Sequence, residues 1–403
     1  MLFYKIVLIK MPKLLIKYSF LAYFFIITLT LFNCKNEPNE LGLNYLPPDD
    51  TAGVLILDSE TDTIAFYHKN ILKYVSNYSS SNLLIGNYQG GYNASFITKF
   101  KNLPDYYDSA TVLSAVMYLK YNNYYFKDSL GTTSFNIYRI INYKDISTLK
   151  YDEFSPADYD IQVGTYTGTP TDTITVSIAL DTNLIRDWLN YSADTINYPI
   201  KNYGIAFIPN TNCNTIKAFN SINSATGYTP YIEVILTKNS ETDTIYFNSL
   251  DGTSLVTAPS TIIPNQRFIT LSGVSYRHIM RFDLSKLPAN SIINQAYLEF
   301  TIDTASSFYS TFDRRLYIEM LTDTTEYKTD GYIFYANLKN YITYNSYLNY
   351  IFQNWTSGVY PNLGIMLSNT TETTNLDEFV FYSSDNPEPS LRPRLTIRYT
   401  IRN

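Results

Sequence analysis

The chain reads as an all-β protein: two tandem β-sandwich domains of jelly-roll type, with one short helix each, preceded by a signal peptide and a tether. Three observations predict this. Tyr accounts for 40 of 403 residues, hydrophobic content is 45% and charged content 16%. That is enough apolar side chain for a packed core, and Tyr with abundant Thr favours strands. Short segments alternate apolar and polar residues, as half-buried strands do. Finally, a series of landmarks recurs once, in the same order, as expected of a duplicated module.

The sharpest landmark is an octapeptide. Ser59-Glu60-Thr61-Asp62-Thr63-Ile64-Ala65-Phe66 returns as Ser240-Glu241-Thr242-Asp243-Thr244-Ile245-Tyr246-Phe247, 181 residues later with seven of eight positions kept. Ile97-Thr98-Lys99-Phe100 matches Ile279-Met280-Arg281-Phe282, and Ala115 to Leu119 matches Ala296 to Phe300. Trp188 matches Trp355, and these are the only 2 tryptophans. Asn202-Tyr203-Gly204-Ile205 matches Asn362-Leu363-Gly364-Ile365, and Pro230 to Val234 matches Pro393 to Ile397. One order with drifting spacing is a duplication with changes of loop length.

In chain order, residues 1–33 form a signal peptide. Lys5, Lys10, Lys13 and Lys17 make a basic start, and Tyr18 to Phe32 is a short apolar run. Leu31-Phe32-Asn33-Cys34 resembles a bacterial lipobox, with Asn33 where a small residue is usual, and makes Cys34 the expected lipid attachment. Cleavage there removes four lysines and no acids, taking the net charge from −6 to −10. An acidic chain without phosphate-cradling glycine loops excludes nucleic acid and nucleotide as expected partners. Residues 34–53 are polar, contain prolines and have no period, as a tether does. The first sandwich is expected over 54–237 and the second over 238–403, joined by the short linker Thr237-Lys238-Asn239-Ser240 as a rigid pair. Each helix leads into its tryptophan: Asp181 caps Leu184 to Leu189, and Tyr347, Leu348, Ile351, Phe352 and Trp355 keep helical spacing in the second copy. The repeated tryptophans are expected to anchor the cores.

Two resemblances follow. Glu40-Leu41-Gly42-Leu43-Asn44-Tyr45-Leu46-Pro47-Pro48, after the lipobox cysteine, with Leu84-Ile85-Gly86-Asn87-Tyr88 later, resembles a Bacteroidota outer-membrane lipoprotein family known only as domain of unknown function 4270. Both halves also resemble DNRLRE-type extracellular β-sandwich modules, some of them carbohydrate-binding. Arg281-Phe282-Asp283-Leu284 and Arg392-Pro393-Arg394-Leu395 carry that likeness best. These resemblances imply an outer-membrane lipoprotein, acyl-anchored and facing the cell surface. They imply no catalytic residue.

Candidate sites are few. With 2 histidines, His68 and His278, in non-equivalent contexts, no His-based triad or multi-His metal site is expected. Glu60 and Asp62, and again Glu241 and Asp243, are either an acidic turn leading into a strand or oxygen ligands for calcium. A glycosidase acid pair is the least favoured alternative. Tyr88, Tyr92, Tyr124 and Tyr125 are candidates for stacking on sugar rings, against the alternative that Tyr is simply the chain's strand residue. Cys213 reads as an incidental loop thiol. Asp-Ser/Thr pairs at Asp128, Asp194, Asp303 and Asp323, among others, resemble an O-glycosylation sequon or are turns. Three functions stay open: a non-catalytic envelope lipoprotein binding a glycan or envelope protein, an assembly subunit of an outer-membrane complex, and a polysaccharide-active enzyme.

Overall fold

The computed structural model describes residues 53–259, 266–310 and 313–401. Cys34, the signal peptide and all but the last residue of the tether lie outside the described residues. The described chain is nearly all β. Strands β1 (Leu55–Asp58) and β2 (Phe66–Leu72) come first. There follow β3 (Asn82–Tyr88), β4 (Tyr92–Phe100), β5 (Thr111–Phe126), β6 (Thr133–Ile140), β7 (Tyr159–Gly168), β8 (Thr175–Ala179), β9 (Ile205–Pro209), β10 (Ile216–Asn220), β11 (Tyr231–Lys238) and β12 (Glu241–Thr257). The rest is β13 (Arg267–Leu271), β14 (Tyr276–Phe282), β15 (Ile292–Thr301), β16 (Leu316–Leu321), β17 (Thr329–Leu338), β18 (Thr343–Tyr347), β19 (Ile365–Asn369), β20 (Glu378–Tyr382) and β21 (Arg394–Thr400). Helix α1 (Thr182–Ala193) follows β8, and α2 (Asn349–Thr356) follows β18.

These strands make two large antiparallel sheets, one of 10 strands and one of 11, each bent over itself into a sandwich. In the first, the long strands β5 and β12 pass from one leaf to the other. One end of β12 pairs with β11 and the other with β4, while β5 pairs with β11 and then with β10. The ring β12–β11–β5–β10–β3–β4 therefore closes on itself and leaves no open edge along it. The second sandwich is built the same way from β13 to β21, except that its bridging segment is β1 and β2. Strand β1 pairs with the last strand β21, and β2 pairs with β14.

The lead segments of the two copies are thus exchanged. The segment carrying the first octapeptide completes the second sandwich, and the segment carrying the second octapeptide completes the first. The cause is local. Asn239 and Ser240 both adopt positive φ, 55° and 70°, the geometry of a two-residue hairpin turn that matches strand twist. Their hairpin folds β12 straight back onto β11, with Lys238 opposite Glu241. The stretch 237–240, expected to be a linker between domains, is a hairpin inside the first sandwich, so the division expected at 237/238 does not follow the strand pairing.

Each sandwich has its own core. In the first, Phe100, Met117, Phe135, Trp188 and Phe207 cluster with Phe247 of the incoming β12. In the second, Phe282, Leu298, Phe300, Phe352 and Trp355 cluster with Leu57 and Ile64 of the incoming lead segment. A third cluster joins the two sandwiches: Leu84, Phe126 and Ile216 pack with Ile269, Leu271, Leu376 and Val380. This explains strands that are buried on both faces, such as β10 and β20, where the alternation expected from sequence is lost.

The repeated motifs have structural work to do. Asp181 accepts the Asn183 N–H at 2.9 Å and caps α1, with Trp188 fully buried. In the second copy the helix starts only at Asn349: Tyr347 ends β18 and Leu348 is the cap position. Trp355 is also buried, so both tryptophans anchor cores, and neither indole N–H has a partner among the described residues. The Asn-x-Gly-Ile repeat closes each sandwich in the same way. Asn202 Nδ2 donates to the Phe100 carbonyl at 2.8 Å, and Asn362 Nδ2 to the Phe282 carbonyl at 2.8 Å. Gly204 and Gly364 both sit at φ +98°, where a side chain would be driven into the carbonyl of Thr98 or of Met280.

Candidate functional site

The two octapeptides adopt different structures. In the first, residues 59–65 form a turn and loop between β1 and β2, so Glu60 and Asp62 do not share a strand face. Asp62 Oδ2 accepts the Asp58 N–H at 2.7 Å and closes the turn, while Glu60 pairs with Arg394 at 2.9 Å. Asp58 is the buried acid here: its carboxylate accepts from Arg394 at 2.7 Å, from Thr396 at 3.1 Å and from the Glu60 N–H at 3.0 Å. Burial pushes its pKa up, but these bonds, Arg394 first, outweigh that and hold it below the ordinary carboxylate value. In the second copy the octapeptide is strand. Asp243 accepts the Tyr107 hydroxyl at 2.6 Å, and Glu241 is exposed opposite Lys238. Among the described residues no group of three or more His, Cys, Asp or Glu is placed to hold a metal ion.

The tyrosines singled out from sequence are mostly committed elsewhere. Tyr92 and Tyr124 are buried in the cluster that joins the sandwiches. The Tyr92 hydroxyl donates to Glu378 at 2.8 Å, and the Tyr124 hydroxyl accepts the Leu376 N–H at 2.9 Å. Burial pushes both phenols well above their ordinary pKa. Tyr88 packs edge-on against Phe126 beside them. Only Tyr125 is exposed, and it leans toward Phe308. Tyr88, Tyr92 and Tyr124 are interface residues and present no free stacking surface.

A different set of tyrosines does present one, on the outer face of the leaf β1–β21–β15–β18. The inward residues Ala296, Leu298 and Phe300 fill the core, so Tyr297 and Glu299 point outward. Tyr297 lies directly across from Tyr347, with ring centroids 4.9 Å apart. Tyr347 is 59% exposed. The Tyr297 hydroxyl donates to Glu299 at 3.1 Å and accepts from Asn345 at 2.8 Å. Lys339 pairs with Glu299 at 3.1 Å. Arg394 and Arg398 project from β21 beside them. A cleft of about 650 Å³ lies at the Glu299 end of this face, lined by Glu60, Thr301, Thr343, Ser384, Ser390, Arg392 and Arg394. A second depression of about 560 Å³, lined by Asn294, Gln295, Tyr347, Asn349 and Arg398, lies at the other end. The two ends are four residues apart along β15, about 13 Å. Two rings with hydroxyl, carboxylate, amide and guanidinium groups on every side suit a long, polar ligand with apolar ring faces.

The two histidines, far apart in sequence, meet beside this cleft. His278 Nδ1 donates to Asn70 Oδ1 at 2.7 Å, which leaves Nε2 to accept from His68 Nδ1 at 2.9 Å. The remaining nitrogen, His68 Nε2, accepts from the Ser384 hydroxyl at 3.1 Å and from the Ser384 N–H at 3.3 Å. Burial pushes His68 down to about 4 and His278 well below its ordinary value. The serine's own N–H shares the nitrogen that would have to activate its hydroxyl, so the chain Ser384–His68–His278–Asn70 acts as a seam. It ties β2 to β14 and to the turn after β20. Sequence spacing of 210 residues between the histidines hid it.

Cys213 is buried, its Sγ 3.3 Å from the Thr215 carbonyl. The carboxylates of Asp128, Asp194, Asp303 and Asp323 each accept the N–H two residues on, the bond of an Asx turn. Among the described residues no helix is long and apolar enough to cross a membrane. Comparison with family models, curated proteins and solved structures found no match.

Proposed function

We propose that this chain is a lipid-anchored envelope protein that captures a polysaccharide on the outer face of its second sandwich. The observation that carries the reading is the Tyr297–Tyr347 pair, set between polar depressions with Glu299, Asn345 and Arg394 beside it. Sugar rings offer apolar C–H faces to aromatic rings and hydroxyls to carboxylates, amides and guanidinium groups, and this face offers both kinds of partner. The lipobox resemblance at Cys34, the tether and the likeness to extracellular β-sandwich modules support an outer-membrane, surface-facing location. The acids of the octapeptides offer catalysis no acting pair: Asp62 closes a turn, Glu60 pairs with Arg394, Asp243 accepts from Tyr107, and Glu241 stands exposed opposite Lys238.

Affinity gel electrophoresis of the mature chain against soluble starch, mannan, arabinoxylan, pectin and laminarin tests the proposal. Retardation by at least one polymer, lost in Tyr297→Ala/Tyr347→Ala with folding intact, is expected. Unretarded migration in every gel would overturn it, and a stoichiometric protein partner recovered from crosslinked membranes would then favour an assembly role.

A further inference from the structure

The first sandwich carries an outer face built on the same leaf, from the outward residues of repeated blocks that the proposed function does not use. Strand β5 occupies the place of β15, and β11 that of β21. On the outward side, Tyr118 lies directly across from Tyr231, with stacked rings 4.8 Å apart and 16° between their planes. Tyr246 of the incoming β12 continues the row, its ring 6.2 Å from Tyr231. Glu233 sits opposite Tyr246 across the strands and faces the hydroxyls of both Tyr118 and Tyr246. Tyr246 is 56% exposed.

Three features set this row apart from tyrosines that merely fill a strand. The rings come from three different strands yet touch in sequence, giving a platform longer than one sugar. A single carboxylate stands among the rings, while Lys120, the cation on the same side of β5, is turned onto the Tyr228 ring at 5.3 Å. And the third ring arrives only through the exchanged lead segment: Tyr246 stands where the first octapeptide has Ala65, so the platform is complete only in the first sandwich.

We infer that the first sandwich holds a second glycan-binding face, Tyr118–Tyr231–Tyr246 around Glu233, which takes a run of neutral sugars and makes the chain a bivalent polysaccharide binder. Neutral sugars fit because the one charged group at the centre is a carboxylate, which accepts from hydroxyls and repels uronic acids. The contrast is with the second face, where Arg394 and Arg398 also meet anionic groups. The inference rests on the proposed function for the class of ligand, but on separate residues. A tethered binder with two faces gains avidity toward a polymer that reaches both, by up to about 10²–10⁴ over one face alone.

Isothermal titration of the mature chain separates the two claims. Oligosaccharides of six sugars, cut from whichever of the five polymers retards it, are the probe. Two sites per chain are expected, falling to one in Tyr118→Ala/Tyr231→Ala and to one in Tyr297→Ala/Tyr347→Ala, with polymer affinity at least tenfold weaker in each. Glu233→Gln, which keeps the side-chain shape, should weaken the first-sandwich site alone. A single site lost only with Tyr297 and Tyr347 would overturn the second face and leave the proposed function standing. A single site lost only with Tyr118 and Tyr231 would do the reverse. Retardation by none of the five polymers would overturn both.

Discussion

Lowering the pH from 7.5 to 5 should weaken the second sandwich through the histidine seam. His68 is held neutral in the fold, its pKa pushed from 6.5 down to about 4 by burial, against the pull of Asp385. The unfolded chain therefore binds the proton more readily than the folded one. The stability contributed is full above the unfolded pKa and is lost as pH falls below it, down to the folded value. At pH 5 this linkage amounts to a loss of about 2 kcal/mol for His68 alone. His278, fully buried behind it with its pKa depressed by burial and then by His68, adds loss in the same direction. The chain holds only 2 histidines, and both belong to the seam. Urea unfolding followed by circular dichroism at pH 7.5 and 5.0 measures the change. His68→Gln, which removes the titrating group, should lower stability at pH 7.5 and shrink the pH dependence by about 2 kcal/mol. An unchanged pH dependence in that variant would refute the seam as described.

Three further outcomes follow from the packing. Gly204→Ala should cost more than Gly364→Ala, about 3 kcal/mol or above against about 2, because its Cβ would meet the Thr98 oxygen at 2.3 Å rather than the Met280 oxygen at 2.7 Å; chemical denaturation gives the order. Glu378→Ala removes the acceptor of Tyr92 and of Lys127, 2.8 and 2.9 Å away at the join between the sandwiches. It should cost about 2–4 kcal/mol, and a single unfolding transition splitting into two would show the sandwiches uncoupled. Tyr297→Ala/Tyr347→Ala should leave the melting temperature within a few degrees of the parent, since the Tyr347 ring is largely in solvent.

The fold class was legible in the sequence because duplication doubles every signal. A tryptophan led by helical spacing, an Asn-x-Gly-Ile block and an octapeptide each gain weight from recurring. What the repeats hid was connectivity. Lead and body look contiguous within each copy, and nothing in the residues 237–240 advertises a hairpin without glycine, since Asn and Ser are both asked to adopt positive φ. Of the two tyrosine readings, the stacking one is unmet at Tyr88, Tyr92 and Tyr124 for a related reason. Composition marks Tyr92 and Tyr124 as strongly as Tyr297 and Tyr347, and only the packing of one sandwich on the other separates buried rings from free ones. Strand parity does put Tyr297 and Glu299 on one face, with Leu298 and Phe300 on the other, but their partners Asn345 and Arg394 come from strands whose register sequence does not reveal. The histidine seam depended on the exchanged lead segment and so could not be read at all.

Hydrogen–deuterium exchange of the mature chain, with and without a polysaccharide that retards it, tests the central claim most directly. The account predicts that the bound polymer slows exchange in residues 294–299, 343–347 and 394–400, the strands of the tyrosine face in the second sandwich. Slowed exchange confined to other segments, or none at any polymer concentration, would contradict it.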